Sequence, residues 1–200
     1  MRKTNVRLSL LILLGLGLAL AAPIFGSNAH AARKHAYVGS QKCKKCHTKE
    51  YKSWAETNMA NAFDLLKAGV RAEEKKAAGL DPAKDYSKDK ECLPCHVTGY
   101  GEKGGFVNAK KTPDHLGVGC ETCHGPGGTY IEDGYMTLEN KEYEIEELLE
   151  VGMIERTNQE TCESVCHNNK SPFVGEDYVF DYEAKRDEGN HALYPLKFKH

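Results

Sequence analysis

Cys43-Lys-Lys-Cys46-His47, Cys92-Leu-Pro-Cys95-His96, Cys120-Glu-Thr-Cys123-His124 and Cys162-Glu-Ser-Val-Cys166-His167 together use all eight cysteines of this 200-residue chain. In each, a cysteine pair runs directly into a histidine. The first three have the spacing of covalent haem c attachment. There two thiols add across the haem vinyl groups, and the adjoining imidazole is placed to ligate the iron from one side. The fourth carries one extra residue between its cysteines. That residue can bulge from the turn without moving Cys166 relative to His167, so a fourth haem is expected there too. Structural zinc is the competing reading. With nine histidines in 200 residues, four follow-on histidines would arise by chance on the order of a few times per million. Two such clusters would also offer a zinc ion six ligands where tetrahedral geometry takes four. Disulfides between such close cysteines would be strained. The expected cofactors are therefore four covalent haem c groups.

Working outward, residues 1–31 have the pattern of a secretory signal. Arg2, Lys3 and Arg7 precede an apolar run from Leu8 to Ala22, and Ala29-His30-Ala31 offers a small-residue cleavage site. An uncleaved anchor is the alternative, which would associate the protein with a membrane. Residues 32–200 are expected to form one tetrahaem domain in the periplasm or outside the cell. Cleavage takes away three basic and no acidic residues, which leaves 24 basic and 29 acidic side chains and a charge of −5. Only 27 of the remaining 169 residues are Ile, Leu, Val or Phe, about 16%, well under the share of an ordinary core. The flat apolar haems are expected to supply the missing interior, as metals and disulfides do in small scaffolds.

The expected fold is mainly α, with a haem-centred core, few helices, long loops and little or no sheet. A helix is expected from about Thr48 to Lys67, with Tyr51, Trp54, Ala55, Ala62, Leu65 and Leu66 on one face. A second is expected from Leu138 to Val151, with Ile145, Leu148 and Leu149 inward and glutamates outward. A third should start near Tyr182 and stop at Gly189. Gly99-Tyr-Gly-Glu-Lys-Gly104 matches a dinucleotide-binding pattern, but it follows a cysteine motif rather than a strand, so it is taken as a loop. Residues 32–52 hold seven Lys or Arg against Glu50, and residues 130–160 hold ten Asp or Glu against Lys141 and Arg156. These runs are either solvated faces or ends that steer different partners.

Several further stretches resemble the tetrahaem cytochrome c-554 family. They are Tyr37-Val-Gly-Ser-Gln-Lys-Cys43, Ser53-Trp54, Leu80-Asp-Pro-Ala-Lys-Asp-Tyr86, Cys95-His96-Val-Thr-Gly-Tyr-Gly-Glu-Lys-Gly-Gly105 and Gly117-Val-Gly-Cys-Glu-Thr-Cys-His-Gly-Pro-Gly127. The best-known member of that family accepts electrons from hydroxylamine oxidoreductase in ammonia-oxidising bacteria. The resemblance implies mostly bis-histidine haems and a five-coordinate second haem. It also implies distal histidines after the first motif, after the third and near the C-terminus. Here the last of these is His191, paired in the first instance with the haem of His167. Met59 stands at the first place, facing a neighbouring haem such as that of His124, and Met136 near the second. Thioether sulfur is a competent axial ligand that raises haem potential. His35, His115 and His200 are reserve ligands.

Two functions follow as expectations. The first is an exported relay passing electrons between redox proteins, with no catalytic residue of its own and no nucleic acid as partner. The second is a reductase for a small nitrogen oxide such as nitric oxide at an open iron above His96, with Asp85, Asp89 or Glu91 as a nearby acid.

Overall fold

Apolar side chains gather in one place, around the second cysteine motif. Phe63, Leu66, Tyr86, Leu93, Val97 and Phe106 form a buried cluster, with Leu80, Cys92, Tyr100 and Leu116 packed against it. The computed structural model describes residues 35–132, 134–154, 158–186 and 190–195. Within them the chain forms nine short α-helices: α1 Ser40–Lys44, α2 Thr48–Ala55, α3 Ala72–Ala77, α4 Leu93–His96, α5 Cys120–His124, α6 Gly128–Glu132, α7 Ile145–Glu150, α8 Gln159–Glu163 and α9 Tyr182–Lys185. Two 3₁₀ turns, Ala62–Leu66 and Pro113–His115, lie between them. The described residues contain one isolated antiparallel bridge, Val97 to Leu116. The expected helical, loop-rich class is what the chain adopts. The expected signal falls outside the described residues, and no described helix is long and apolar enough to cross a membrane.

The helix expected over Thr48 to Lys67 is broken in the middle. Its first half is α2 and its second half is the 3₁₀ turn, with turns between. Thr57 donates its hydroxyl to the Trp54 carbonyl at 2.7 Å, and Asn61 donates to the Thr57 carbonyl at 2.8 Å. Such local side-chain bonds compete with the helical ladder. The Met59 carbonyl is then free to accept from the distant Val118 amide at 2.8 Å. The second expected helix is also shorter. It begins at a capping box in which Glu144 and Glu147 satisfy each other's backbone amides. Leu148 is buried as expected, whereas Ile145 lies at the surface. The third is the single turn α9, capped by Asp181 accepting from the Ala184 amide.

The glycine-rich loop after α4 works as a clasp. Tyr37 donates its amide to the Lys103 carbonyl at 2.9 Å, which pins the segment ahead of α1 onto the loop. A Cβ on Gly104 would overlap the Tyr37 carbonyl and one on Gly105 the Gly99 carbonyl, and Gly104 has φ +76°. Only glycine permits that approach in that conformation.

Candidate haem-attachment site

Each cysteine motif lies in a helical or turn segment. In the first, His47 donates its amide to the Cys43 carbonyl at 2.9 Å, four residues back. The third motif is the whole of α5. In the fourth, His167 donates to the Cys162 carbonyl at 3.0 Å, five residues back. That wider turn absorbs the extra residue as a π-type bulge, and Val165 is pushed into solvent. The motif geometry survives the insertion.

The thiols also show how the motifs sit relative to one another. The thiols of Cys43 and Cys120 perturb each other's ionisation, as do those of Cys95 and Cys166. In each couple that interaction and burial push one thiol up (Cys43, Cys166), while the same interaction lowers its partner (Cys120, Cys95). Cys95 also donates to the Val165 carbonyl at 3.3 Å. Burial pushes Cys123 up to about 11, and the nearby Cys162 adds to this. In space the motifs therefore pair first with third and second with fourth, although neither pair is adjacent along the chain.

The histidines fit iron ligation. The Nδ1–H of His96 donates to the Ala62 carbonyl at 2.6 Å, which leaves Nε2 as the lone-pair nitrogen. This is the outer-shell bond that metal-bound imidazoles usually make. Burial lowers the pKa of His96, the Ala62 bond partly offsets that, and Lys75 lowers it further. His124 is exposed by surface area, yet its pKa is lowered chiefly by burial and then by His191 and His47. The His124 and His191 ring centroids are 6.2 Å apart, with planes inclined by 25°. Two imidazoles bonded in trans to one metal at about 2.0 Å would have centroids about 6.4 Å apart. The pair is spaced for a single iron.

This corrects the expected pairing. His191 lies against His124 and not His167, whose ring instead stacks on Phe180 at 4.1 Å. The Met59 backbone is tied to Val118, two residues before the third motif, and its side chain is half-buried in a turn. Met136 is half-buried in the loop after α6, its amide held by the Tyr130 carbonyl at 2.8 Å. Among the reserve ligands, His35 is buried with Nδ1 2.7 Å from the Thr129 hydroxyl. His115 is buried, and neither of its ring nitrogens has a hydrogen-bond partner. His200 lies outside the described residues.

Two side chains that sequence reasoning passed over organise the site. Glu121, inside the third motif, accepts from the Val38 amide at 3.0 and 3.1 Å, from Gly39 at 2.8 Å and from Gly127 at 2.7 Å. Gly39 caps α1, so one buried carboxylate clamps the first and third motifs together. Lys75, from the charged stretch of α3, is buried beside the second motif. It donates to the Lys67 carbonyl at 2.6 Å and lies 5.5 Å from the Tyr86 ring centre. The acids proposed near His96 are turned to local tasks. Asp85 accepts from the Ser87 amide, and Asp89 accepts from the Glu91 amide and pairs with Lys84.

Four cysteine pairs, each followed directly by a histidine, are the attachment pattern of a multihaem c-type cytochrome. Comparison with known proteins agrees. Residues 42–125 match the model of the family described as cytochrome c554 and c-prime. Cytochrome c-554 of Nitrosomonas europaea is 43% identical over 123 residues, covering 61% of this chain and 52% of that protein. That alignment thus spans about half the length of the relative. The solved structure of reduced cytochrome c554 from the same organism superposes with a TM-score of 0.68 at 34% identity, covering 82% of this chain and 88% of that one. The chain belongs to the cytochrome c554 family, and its cofactor is covalently bound haem c, four per chain.

Proposed function

We propose that this protein is an exported electron relay between redox partner proteins, with residues 1–31 as its signal and residues 32–200 as one tetrahaem domain. The haems would be held through Cys43 and Cys46, Cys92 and Cys95, Cys120 and Cys123, and Cys162 and Cys166. His47, His96, His124 and His167 would be the proximal ligands, His191 the distal partner of His124, and Met59 and Met136 axial ligands elsewhere in the set. When bound, each haem supplies a one-electron ferric–ferrous couple. The chain's own work is positional. Each cysteine pair fixes one ring edge, and Ala62 orients His96. Glu121 keeps the first and third motifs in register.

The observation that carries this reading is how the motifs are held against one another: Glu121 ties the first to the third, and the Cys95 thiol on the Val165 carbonyl ties the second to the fourth. Holding cofactors close together in fixed orientation is what a protein contributes to electron transfer. The exposed Lys42, Lys44, Lys45, Lys49 and Lys52 surround the first motif, where Cys46 is exposed. They would steer an acidic partner to that motif. The reductase reading loses support, because Asp85 and Asp89 serve local turns. The test is an anaerobic titration of the purified holoprotein. It should take up four electrons per chain and return them to a second, oxidised c-type cytochrome. Consumption of nitric oxide with the stored electrons lost, and none delivered to a protein acceptor, would overturn the relay.

A further inference from the structure

Among the described residues, one lysine and one glutamate are buried, a basic and an acidic side chain. Lys75 is 3% exposed and Glu121 is 1% exposed. They stand at different motifs. Lys75 lies on the face of Tyr86, within the apolar cluster whose Leu93 and Val97 flank His96. Glu121 lies between Cys120 and Cys123 and reaches the cap of the helix that carries Cys43. Lys75 thus stands beside the second motif, and Glu121 beside the first and third. Each charge is bonded only to neutral groups, a carbonyl and a ring face for Lys75 and backbone amides for Glu121. Neither is cancelled by a neighbour of opposite charge in those contacts.

A fixed charge inside protein acts on a redox centre more strongly than one at the surface, because the surrounding dielectric is low and salt does not screen it. A buried cation favours the reduced, less positive iron. A buried carboxylate favours the oxidised iron. We propose that Lys75 and Glu121 tilt the internal redox ladder, so that electrons entering at the His47 or His124 haems come to rest on the haem of His96. In that step one iron is oxidised from ferrous to ferric, the other is reduced from ferric to ferrous, and nothing else changes hands. The inference rests on the assignment of haems to these motifs, and it adds a direction to the relay.

The competing role for both side chains is purely structural, since Lys75 closes the loop from Lys67 and Glu121 clamps two helices. Reduction potentials separate the two roles, because a structural staple need not move them. The experiment is an EPR-monitored redox titration of holoprotein variants, each first shown by mass to carry four haems. Lys75→Met keeps the stem and removes the charge, and Lys75→Arg keeps the charge. Lys75→Met should lower the midpoint of one centre, by the same amount at low and high salt, while Lys75→Arg leaves all four midpoints in place. Glu121→Gln should raise two other centres. If Glu121→Gln does not assemble, the two Lys75 variants decide the matter alone. Unchanged midpoints in Lys75→Met would overturn the inference, as would a shift shared by Lys75→Arg or one abolished by salt. Wild-type protein lacking haem at these motifs would instead defeat the underlying reading.

Discussion

Replacing Glu121 by alanine should cost this protein much of its stability, although no haem-attaching atom is touched. The carboxylate is the acceptor for three backbone donors, the amides of Val38, Gly39 and Gly127. Alanine removes the acceptor and leaves those donors in the interior. A buried donor left unsatisfied costs about 1–3 kcal/mol, so three together come to about 3–9 kcal/mol. Val38 is only half-buried, so water can reach its amide and the lower part of that range is expected. Even about 3 kcal/mol is a large fraction of the about 5–15 kcal/mol that usually separates folded from unfolded chains. With a urea dependence of about 1–3 kcal/mol per M, the midpoint should fall by about 1–3 M. The assay is urea unfolding of the holoprotein, followed by the Soret band and far-ultraviolet circular dichroism. Covalent haem stays on the chain throughout, so the midpoint reports the fold and not loss of cofactor. A loss below about 1 kcal/mol would refute the clamp, because that is no more than one surface hydrogen bond contributes.

His191→Ala should convert one low-spin centre to high-spin in the EPR spectrum, and the centre affected should be the one ligated by His124. An unchanged spectrum would mean the 6.2 Å spacing of the two rings is mere packing. Oxidised wild-type protein should show the near-infrared charge-transfer band of sulfur–iron bonding, and Met59→His should diminish it and lower one potential. Absence of the band from the wild type would return Met59 and Met136 to ordinary packing. Asp89 supplies a pH dependence. The Glu91 amide and then Lys84 hold its pKa below the usual carboxylate range, so its contribution is present above the unfolded value and lost as pH falls through the folded one. Asp89→Asn should therefore be less stable than wild type at neutral pH, and the two unfolding curves should converge in acid.

How much of this was readable from the residues alone follows from how local each signal is. Thiol pairs beside a histidine interact within one turn of chain, so the four motifs and the helical, loop-rich class could be read directly. Even the bulge at Val165 was implied by the extra residue in the fourth motif. The break after Ala55 left a weaker trace. Apolar periodicity ran on through it, but Thr57, Asn58 and Asn61 are residues whose side chains compete for backbone groups, and that signal was outweighed. The pairing of motifs in space, and the meeting of His191 with His124, depend on contacts between distant segments. Nothing in the spacing of cysteines encodes them. Lys75 and Glu121 were hidden differently: each sits among charged or polar neighbours that read as solvent-facing. Their burial comes from Tyr86 and from the Val38–Gly39 backbone folding over them. His115 likewise gave no sign in the sequence that it would be buried.

The most direct test of the account is the mass of the mature chain under denaturing conditions. The four motifs, including the widened turn at Cys162 and Cys166, should each retain a haem through covalent bonds. The measured mass should equal the polypeptide from Ala32 onward plus four haem groups, and peptide mapping should locate one on each cysteine pair. Three haems with Cys162 and Cys166 free would remove the fourth motif and contradict the four-haem relay.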